Sequence, residues 1–476
     1  MNLDSKKIIS GIKWTGIQFF LEFLFKFSIK LVLAKILLPN EFGLVGMCTV
    51  FIVIADGASE LGMSAALIQR KEEEEVKAMY STAFWSGLIW GILLYAITSF
   101  IIGPFAAHFY NEPILTTLFP VLSLSILIRP LSLVHVVILT RAMDFRKIAK
   151  IFNISALIAG VLALIAAYSD MGIWALVINN VLALGLTIPF LYVAIKWKPT
   201  FEWNKDYFKS IFGFGAYSTG TSIFSTLTYN IDNLIVGKIL GSSLLGAYTL
   251  SFSLTEQLRQ MISAILGKVM FPVYGKSQDN KEQLKDYFLK IVNFNAIIIY
   301  PIMTFLIVFS RDIIVGFFGD KWEQAVIPLK ILSLAVMVHL LVNSFGTLIR
   351  GLGKPKVEMK IIIGLTILIL IPSLYVGVSY FGLVGAAYAI VFNKITLVVT
   401  ALIVLNKEVG LTIFDVFKAV RSAIASLLLS VCIVYILISF KIENIFILSI
   451  VYAISYLVSV YFMEKKNIEN ILKNVL

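Results

Sequence analysis

Apolar segments long enough to cross a bilayer recur along almost the whole 476-residue chain, separated only by short polar loops. A bilayer core of about 30 Å takes a helix of ~20 apolar residues. Inside it the backbone finds no water, so only a helix satisfies every N–H and C=O within one such segment. Hydropathy places fourteen spans, at 10–37, 41–66, 78–103, 114–142, 148–169, 172–196, 211–238, 243–270, 287–311, 325–350, 357–378, 382–405, 419–439 and 444–463. The expected fold class is an all-α polytopic membrane protein with about 14 transmembrane helices. Only 14% of residues are charged and mean hydropathy is +0.92. No polar stretch is long enough for a sizeable soluble domain.

Lysine and arginine set the orientation. The N-terminus, the loops after even-numbered spans and the C-terminal tail hold 29 of the 40, and the loops after odd-numbered spans hold five. The remaining six are Lys26, Lys30, Arg129, Arg259, Lys330 and Lys394, all within spans. Cationic loops stay in the cytoplasm, so both termini are expected there. The net charge of +12 therefore comes from loops and does not call for nucleic acid. Cys48 and Cys432 lie in separate apolar segments and read as small apolar filler.

The chain repeats internally. The segment from Ala34 to Gly43 matches Gly237 to Gly246 at an offset of 203. Arg141 and Lys147 match Arg350 and Lys356 at 209, and Gly172-Ile173-Trp174 matches Gly382-Leu383-Val384 at 210. Spans 1–6 thus correspond to spans 7–12. Six is even, so the repeats are parallel, related by an axis along the membrane normal. The expected domains are a first six-helix lobe (1–196), a cytoplasmic linker (197–210), a second six-helix lobe (211–405), and two further helices with a tail (406–476). The linker mixes Trp, Phe and Lys, which suits an interfacial helix.

Charges inside the spans point to function. Gln18, Glu22, Lys26 and Lys30 succeed one another at four-residue steps, a continuous stripe on one helix face. A charge at mid-bilayer costs at least about 2.5–3.5 kcal/mol, so such groups face a wet path or a partner. Lys26, Lys30, Arg129, Arg259 and Lys394 are the candidate substrate-binding cations, able to hold a diphosphate or an acidic sugar. Arg129 has a plainer role open to it, bonding carbonyls freed by Pro130. Glu22, Asp56, Glu60 and Asp232 are the candidate coupling or gate acids. The offset of 203 sets Asp56 opposite Arg259, which suggests a pair that meets when the lobes close. Equally, each could bond within its own lobe. Asp232 can serve as a helix-packing contact as readily as a coupling group.

No Walker A, His-Glu-x-x-His, Cys-x-x-Cys or Gly-x-Ser-x-Gly pattern occurs, and only three histidines are present. An enzyme is not expected, nor a cofactor or metal. A transporter without its own ATPase fits this best.

Three motifs carry a family resemblance. They are Leu38-Pro39-Asn40-Glu41-Phe42-Gly43, Arg141-Ala142-Met143-Asp144-Phe145, and the stretch from Asp232 to Gly241. With the six-plus-six-plus-two layout, the chain resembles the polysaccharide exporters of the multidrug/oligosaccharidyl-lipid/polysaccharide flippase superfamily. These handle O-antigen, colanic-acid-type and teichuronic-type units. The resemblance implies a V-shaped two-lobe bundle in the bacterial inner membrane that moves lipid-linked (undecaprenyl-diphosphate) oligosaccharide outward by alternating access. Membrane lipids, glycosyltransferases and a polymerase are the implied partners. Two other readings stay open: a multidrug or cation antiporter, and a non-transporting scaffold of a synthesis complex. A cation exporter calls for an acid-dominated lumen, whereas basic groups are central here in spans 1, 4 and 12.

Reporter fusions check the topology. Those at Arg146, Lys205, Lys281 and Lys354 are expected to read as cytoplasmic, and those at Asn111 and Lys321 as external. A cytoplasmic signal at Lys321 means a miscounted span.

Overall fold

The structure, a computed structural model, describes Leu21 and residues 24–59, 62–69, 73–442 and 444–475. Gln18, Glu22, Glu60 and most of the first half of span 1 lie outside the described residues. Among the described residues every regular element is a helix. Eleven helical stretches there are long and apolar enough to cross a membrane. Two of these contain a sharp non-helical joint. Gly241 interrupts Thr226–Ala264 with φ +82°, and Gly382 interrupts Pro355–Val409 with φ +57°. Positive φ is open to glycine at no steric cost, which is why the chain can reverse there without a loop. Gly172, the repeat equivalent of Gly382, opens the helix Ile173–Gly185 with nearly the same angles, φ +53° and ψ −127° against φ +57° and ψ −139°.

By packing, the chain divides into two compact units, Met1–Thr249 and Leu250–Leu476. This division falls later than the 197–210 linker because the start of span 8 packs on span 2: Gly246 lies against the Pro39 carbonyl and Gly43 against that of Ser242. In unit 1, span 5 buries a ladder of small residues, among them Ala156, Ala159, Gly160, Ala163 and Ala167. Ile29 of span 1 fills the place a side chain at Gly160 would occupy. Lipid gives helices no hydrophobic reason to associate, so close backbone approach over small residues does this instead.

The linker departs from the helix expected of it. Residues 195–204 form no helix, and helix begins only at Lys205. Pro199 has no N–H and disfavours a helical Lys198. The buried hydroxyls of span 3 hold the strap in place. Ser81 Oγ meets Thr200 Oγ1 at 2.8 Å, the Asn204 N–H donates to Thr82 Oγ1 at 3.1 Å, and Trp203 Nε1 donates to Ser86 Oγ at 2.8 Å. Trp85 adds an indole bond to the Thr200 carbonyl at 2.7 Å and stacks on Phe201. Asn204 then caps the following helix by accepting from the N–H groups of Asp206 and Tyr207.

In unit 2 the two C-terminal spans complete a kinked helix. Pro301 sits inside Lys281–Val308 and cannot bond the Ile297 carbonyl one turn earlier. Tyr456 of span 14 donates its hydroxyl to that carbonyl at 2.8 Å, and Tyr452 donates to the Pro301 carbonyl at 2.9 Å. Tyr456→Phe is expected to cost about 1 kcal/mol of stability in detergent, the scale of one interhelical bond. In a Pro301→Ala background the same change should cost less, because alanine restores the backbone N–H that the Ile297 carbonyl lacks. Thermal denaturation of the four proteins in this cycle measures the difference, and equal costs in both backgrounds would exclude the role given to Tyr456.

Candidate functional site

Span 1 is helical through 24–36 in the described part. Its buried residues Ile29, Leu33, Ala34 and Leu37 mark the side turned to the protein. At 3.6 residues per turn, Lys26 and Lys30 fall on that side, whereas Leu24 and Ser28, both exposed, fall opposite. Lys26 is nonetheless exposed and Lys30 half-buried. Lysines on the packed side of a helix that remain accessible suit a polar ligand better than lipid.

Arg129 and Asp56 meet in unit 1. Arg129 Nε lies 3.2 Å from Asp56 Oδ1, with side chains 39% and 11% exposed. Arg129 thus has an acid on span 2 as a partner. The Ile126 carbonyl that Pro130 leaves without its helical donor faces Gly91 of span 3. A β-carbon at Gly91 would sit 2.9 Å from Pro130 Cγ and 3.3 Å from that oxygen, so glycine is what lets spans 3 and 4 close up. Trp90 ties span 3 to span 2 through the Ala58 carbonyl at 2.9 Å, beside Asp56. These contacts hold the Asp56–Arg129 pair at the junction of three spans.

A second ionic cluster lies within unit 2. Arg259 donates from Nε to Glu256 Oε2 at 2.6 Å, with NH2 also 2.6 Å from that oxygen. Its NH1 reaches Asn343 Oδ1 at 3.2 Å, and Ser263 Oγ donates to the same oxygen at 3.0 Å. Asn343 sits in the turn 341–344 that separates the helices Val326–Leu340 and Phe345–Gly351 of span 10. A break in the helix therefore positions the amide. Lys394 of span 12, half-buried, is close enough for its charge to act on both Glu256 and His339. Glu256 and Arg259 are buried, unlike Arg129. The cluster holds two cations and one acid, with His339 beside them.

Sequence reasoning gave Glu256, Asn343 and Ser263 no role. Glu256 had a readable signal, an acid three residues before Arg259 on one helix face. Asn343 had none, since its value comes from the turn. Asp232 is buried and fixed in unit 1: Oδ2 accepts from the Tyr248 hydroxyl at 2.8 Å and Oδ1 from the Asn233 N–H at 2.9 Å. It ties span 7 to span 8 across the Gly241 joint. Asp56 and Arg259 each hold a partner in their own unit. Among the described residues no three His, Cys, Asp or Glu side chains cluster as metal ligands do.

The two pairs should respond differently to loss of the acid. Glu256→Ala leaves a buried guanidinium without its counter-charge and is expected to destabilise by about 3–5 kcal/mol. Asp56→Ala removes the partner of a more accessible arginine and should cost about 1 kcal/mol or less. Melting in detergent ranks them, with Arg259→Met expected to recover part of the Glu256→Ala loss.

Comparisons with known proteins agree with one another. Residues 32–327 match the family described as polysaccharide biosynthesis protein. The chain is 29% identical over 353 residues to the teichuronic acid biosynthesis protein TuaB of Bacillus subtilis, covering 74% of this chain and 72% of TuaB. It is 26% identical over 410 residues to the lipopolysaccharide biosynthesis protein WzxC of Escherichia coli, covering 85% and 82%. In fold it is similar to the lipid II flippase MurJ in an inward closed conformation, with TM-score 0.72, 15% identity, and 97% and 100% of the two chains covered. A multidrug resistance transporter of the MATE family, inward-facing, gives TM-score 0.65 at 15% identity, covering 83% and 94%.

Proposed function

The chain belongs to the polysaccharide biosynthesis protein family, and we propose that it is a flippase. It carries lipid-linked oligosaccharide repeat units across the bacterial inner membrane by alternating access, for assembly of a surface polysaccharide. The relatives named for teichuronic acid and lipopolysaccharide biosynthesis support this cargo, and the likeness to a lipid II flippase supports the fold it needs. Taking each glycine-jointed stretch as two spans and adding span 1 gives fourteen, with both termini cytoplasmic by the lysine and arginine count.

The observation that carries the reading is the set of accessible cations in unit 1. Lys26 and Lys30 lie on the packed side of span 1, and Arg129 keeps more than a third of its side chain exposed. An undecaprenyl diphosphate presents two negative phosphates beside a bulky sugar. Lysines act on phosphate as point charges, and arginine as a planar fork. Asp56 is then the internal counter-ion that holds Arg129 when no cargo is bound. In the second lobe Arg259 and Lys394 supply further positive charge, and Glu256 holds Arg259. Glu22 and Glu60, four residues from Lys26 and Asp56, complete the acids that could exchange partners or protons with these cations. Glycosyltransferases build the cargo on the cytoplasmic face, and a polymerase takes it up outside.

Complementation of a deletion strain tests the proposal. Lys26→Ala, Lys30→Ala and Arg129→Ala are each expected to lower surface polysaccharide at unchanged membrane level and to let lipid-linked oligosaccharide accumulate. Losing one charged hydrogen bond to phosphate corresponds to a factor on the order of ten to a hundred in affinity. Arginine at position 26 or 30 should retain more activity than alanine. Normal export by all three alanine variants would remove these residues from the path.

A further inference from the structure

We propose that the face of span 7 bearing Tyr229, Asn230 and Asn233 is a carbohydrate subsite that reads a sugar of the cargo. The inference deepens the flippase reading above and rests on it. Its basis is a pattern of burial that repeats within unit 1. At the offset of 203, the span 1 stripe of Gln18, Glu22, Lys26 and Lys30 falls on Thr221, Ser225, Tyr229 and Asn233 of span 7. Ile29, Leu33 and Ala34 fall on Asp232, Val236 and Gly237, and all six are buried. Lys26 and Tyr229 are both exposed, Tyr229 at 58%, and Lys30 and Asn233 are both half-buried. At these matched positions the two spans are packed and accessible alike, so each turns the same side to the protein.

The chemistry on that side differs. Span 1 offers charge there, and span 7 offers hydroxyls, a phenol and amides. Thr226, Tyr229, Asn230 and Asn233 share one face at helical spacing, and Phe224, Ile231 and Ile235 fall opposite. The buried Val236 and Gly237 lie on the Tyr229 side. Tyr229 is therefore an accessible ring on the packed side of its helix, where lipid is not its neighbour and its hydroxyl can find a polar partner. Asn230 Nδ2 donates to the Thr226 carbonyl at 2.8 Å, which fixes that amide on the face. Asn233 Oδ1 has no hydrogen-bond partner among the described residues. A buried acceptor left so is costly, and a hydroxyl donor removes the cost. A sugar ring presents hydroxyls around an apolar C–H face. A tyrosine covers such a face with its ring and bonds with its hydroxyl, and an amide both donates and accepts. No charge is among these groups, so the ligand they fit is a neutral sugar unit recognised by its hydroxyls. A site of this kind also discriminates against a sugar that lacks one of them.

Lipid binding to the purified full chain tests this with two probes, undecaprenyl diphosphate and the lipid-linked oligosaccharide extracted from a deletion strain. Wild-type protein should bind the oligosaccharide-bearing lipid more tightly than the bare diphosphate. Tyr229→Ala should weaken the first about tenfold, the worth of one ring contact with a hydrogen bond, and leave the second unchanged. Tyr229→Phe, which keeps the ring, should lose a smaller part of the same difference, and Asn233→Ala should move it in the same direction. Lys26→Ala, in contrast, should weaken both lipids by a similar factor. The melting temperature without lipid, which loss of an exposed ring should leave in place, shows that a variant is folded, and Tyr229→Phe carries the test if Tyr229→Ala is not. Equal affinity of wild-type protein for the two lipids would overturn the subsite. So would equal weakening of both by the Tyr229 variants, or no change in either, and in each of these cases the flippase reading stands. Failure of wild-type protein to bind either lipid removes the cargo and the subsite together.

Discussion

A hydrocarbon solvent gives polar groups no partner of last resort, and the arrangement of this molecule stems from that. Two prolines inside helices show what a neighbouring span does about a freed carbonyl. For Pro301 the remedy is a pair of tyrosine hydroxyls from span 14. For Pro130 it is a glycine at position 91 that lets span 3 approach the freed carbonyl. Charges obey the same rule. Asp232 takes a tyrosine, Arg259 takes a glutamate and an amide, and Arg129 takes an aspartate. Such partners fix which helix lies beside which, so satisfying polar groups and choosing neighbours are one event.

The two arginine–acid pairs show how that rule separates structure from chemistry. Glu256 and Arg259 are three residues apart on one helix, buried, and supported by Asn343 and Ser263. Parting them in place exposes both to the full cost of burial. Asp56 and Arg129 come from different spans, at 3.2 Å, with the arginine well exposed. The first pair is suited to holding span 8 against span 10, and the second is less costly to part because its arginine keeps access to solvent.

The all-helical fold class was legible because its signal is solvent-scale: span length comes from bilayer thickness. Two glycines matched in sequence at an offset of 210, Gly172 and Gly382, adopt nearly the same unusual backbone angles. What escaped depends on tertiary partners. Trp197–Ser210 has the composition of an interfacial helix, yet its first part is not helical and is held by hydroxyls at Ser81, Thr82 and Ser86, more than a hundred residues earlier. The partner of Arg129 could not be chosen between a local carbonyl and a distant acid without knowing that spans 2 and 4 adjoin. Lys26 and Lys30 could be placed on one face, but only the burial of Ile29 and Leu33 says that this face looks inward.

Symmetry divides along the same line. The positions that repeat are joints and close contacts, Gly43 with Gly246 and Gly172 with Gly382. Loop charges such as Arg141 and Arg350 repeat, but the mid-span charges do not. At an offset of 203, Lys26 corresponds to Tyr229, Lys30 to Asn233, and Asp56 to Arg259, a residue of opposite sign. Glycines at matched positions give both halves the same backbone bends, which cost an L-residue side chain its fit and so hold the choice of residue fixed. No such constraint acts on a mid-span charge, and the cationic stripe on span 1 has no counterpart at the matching positions of span 7.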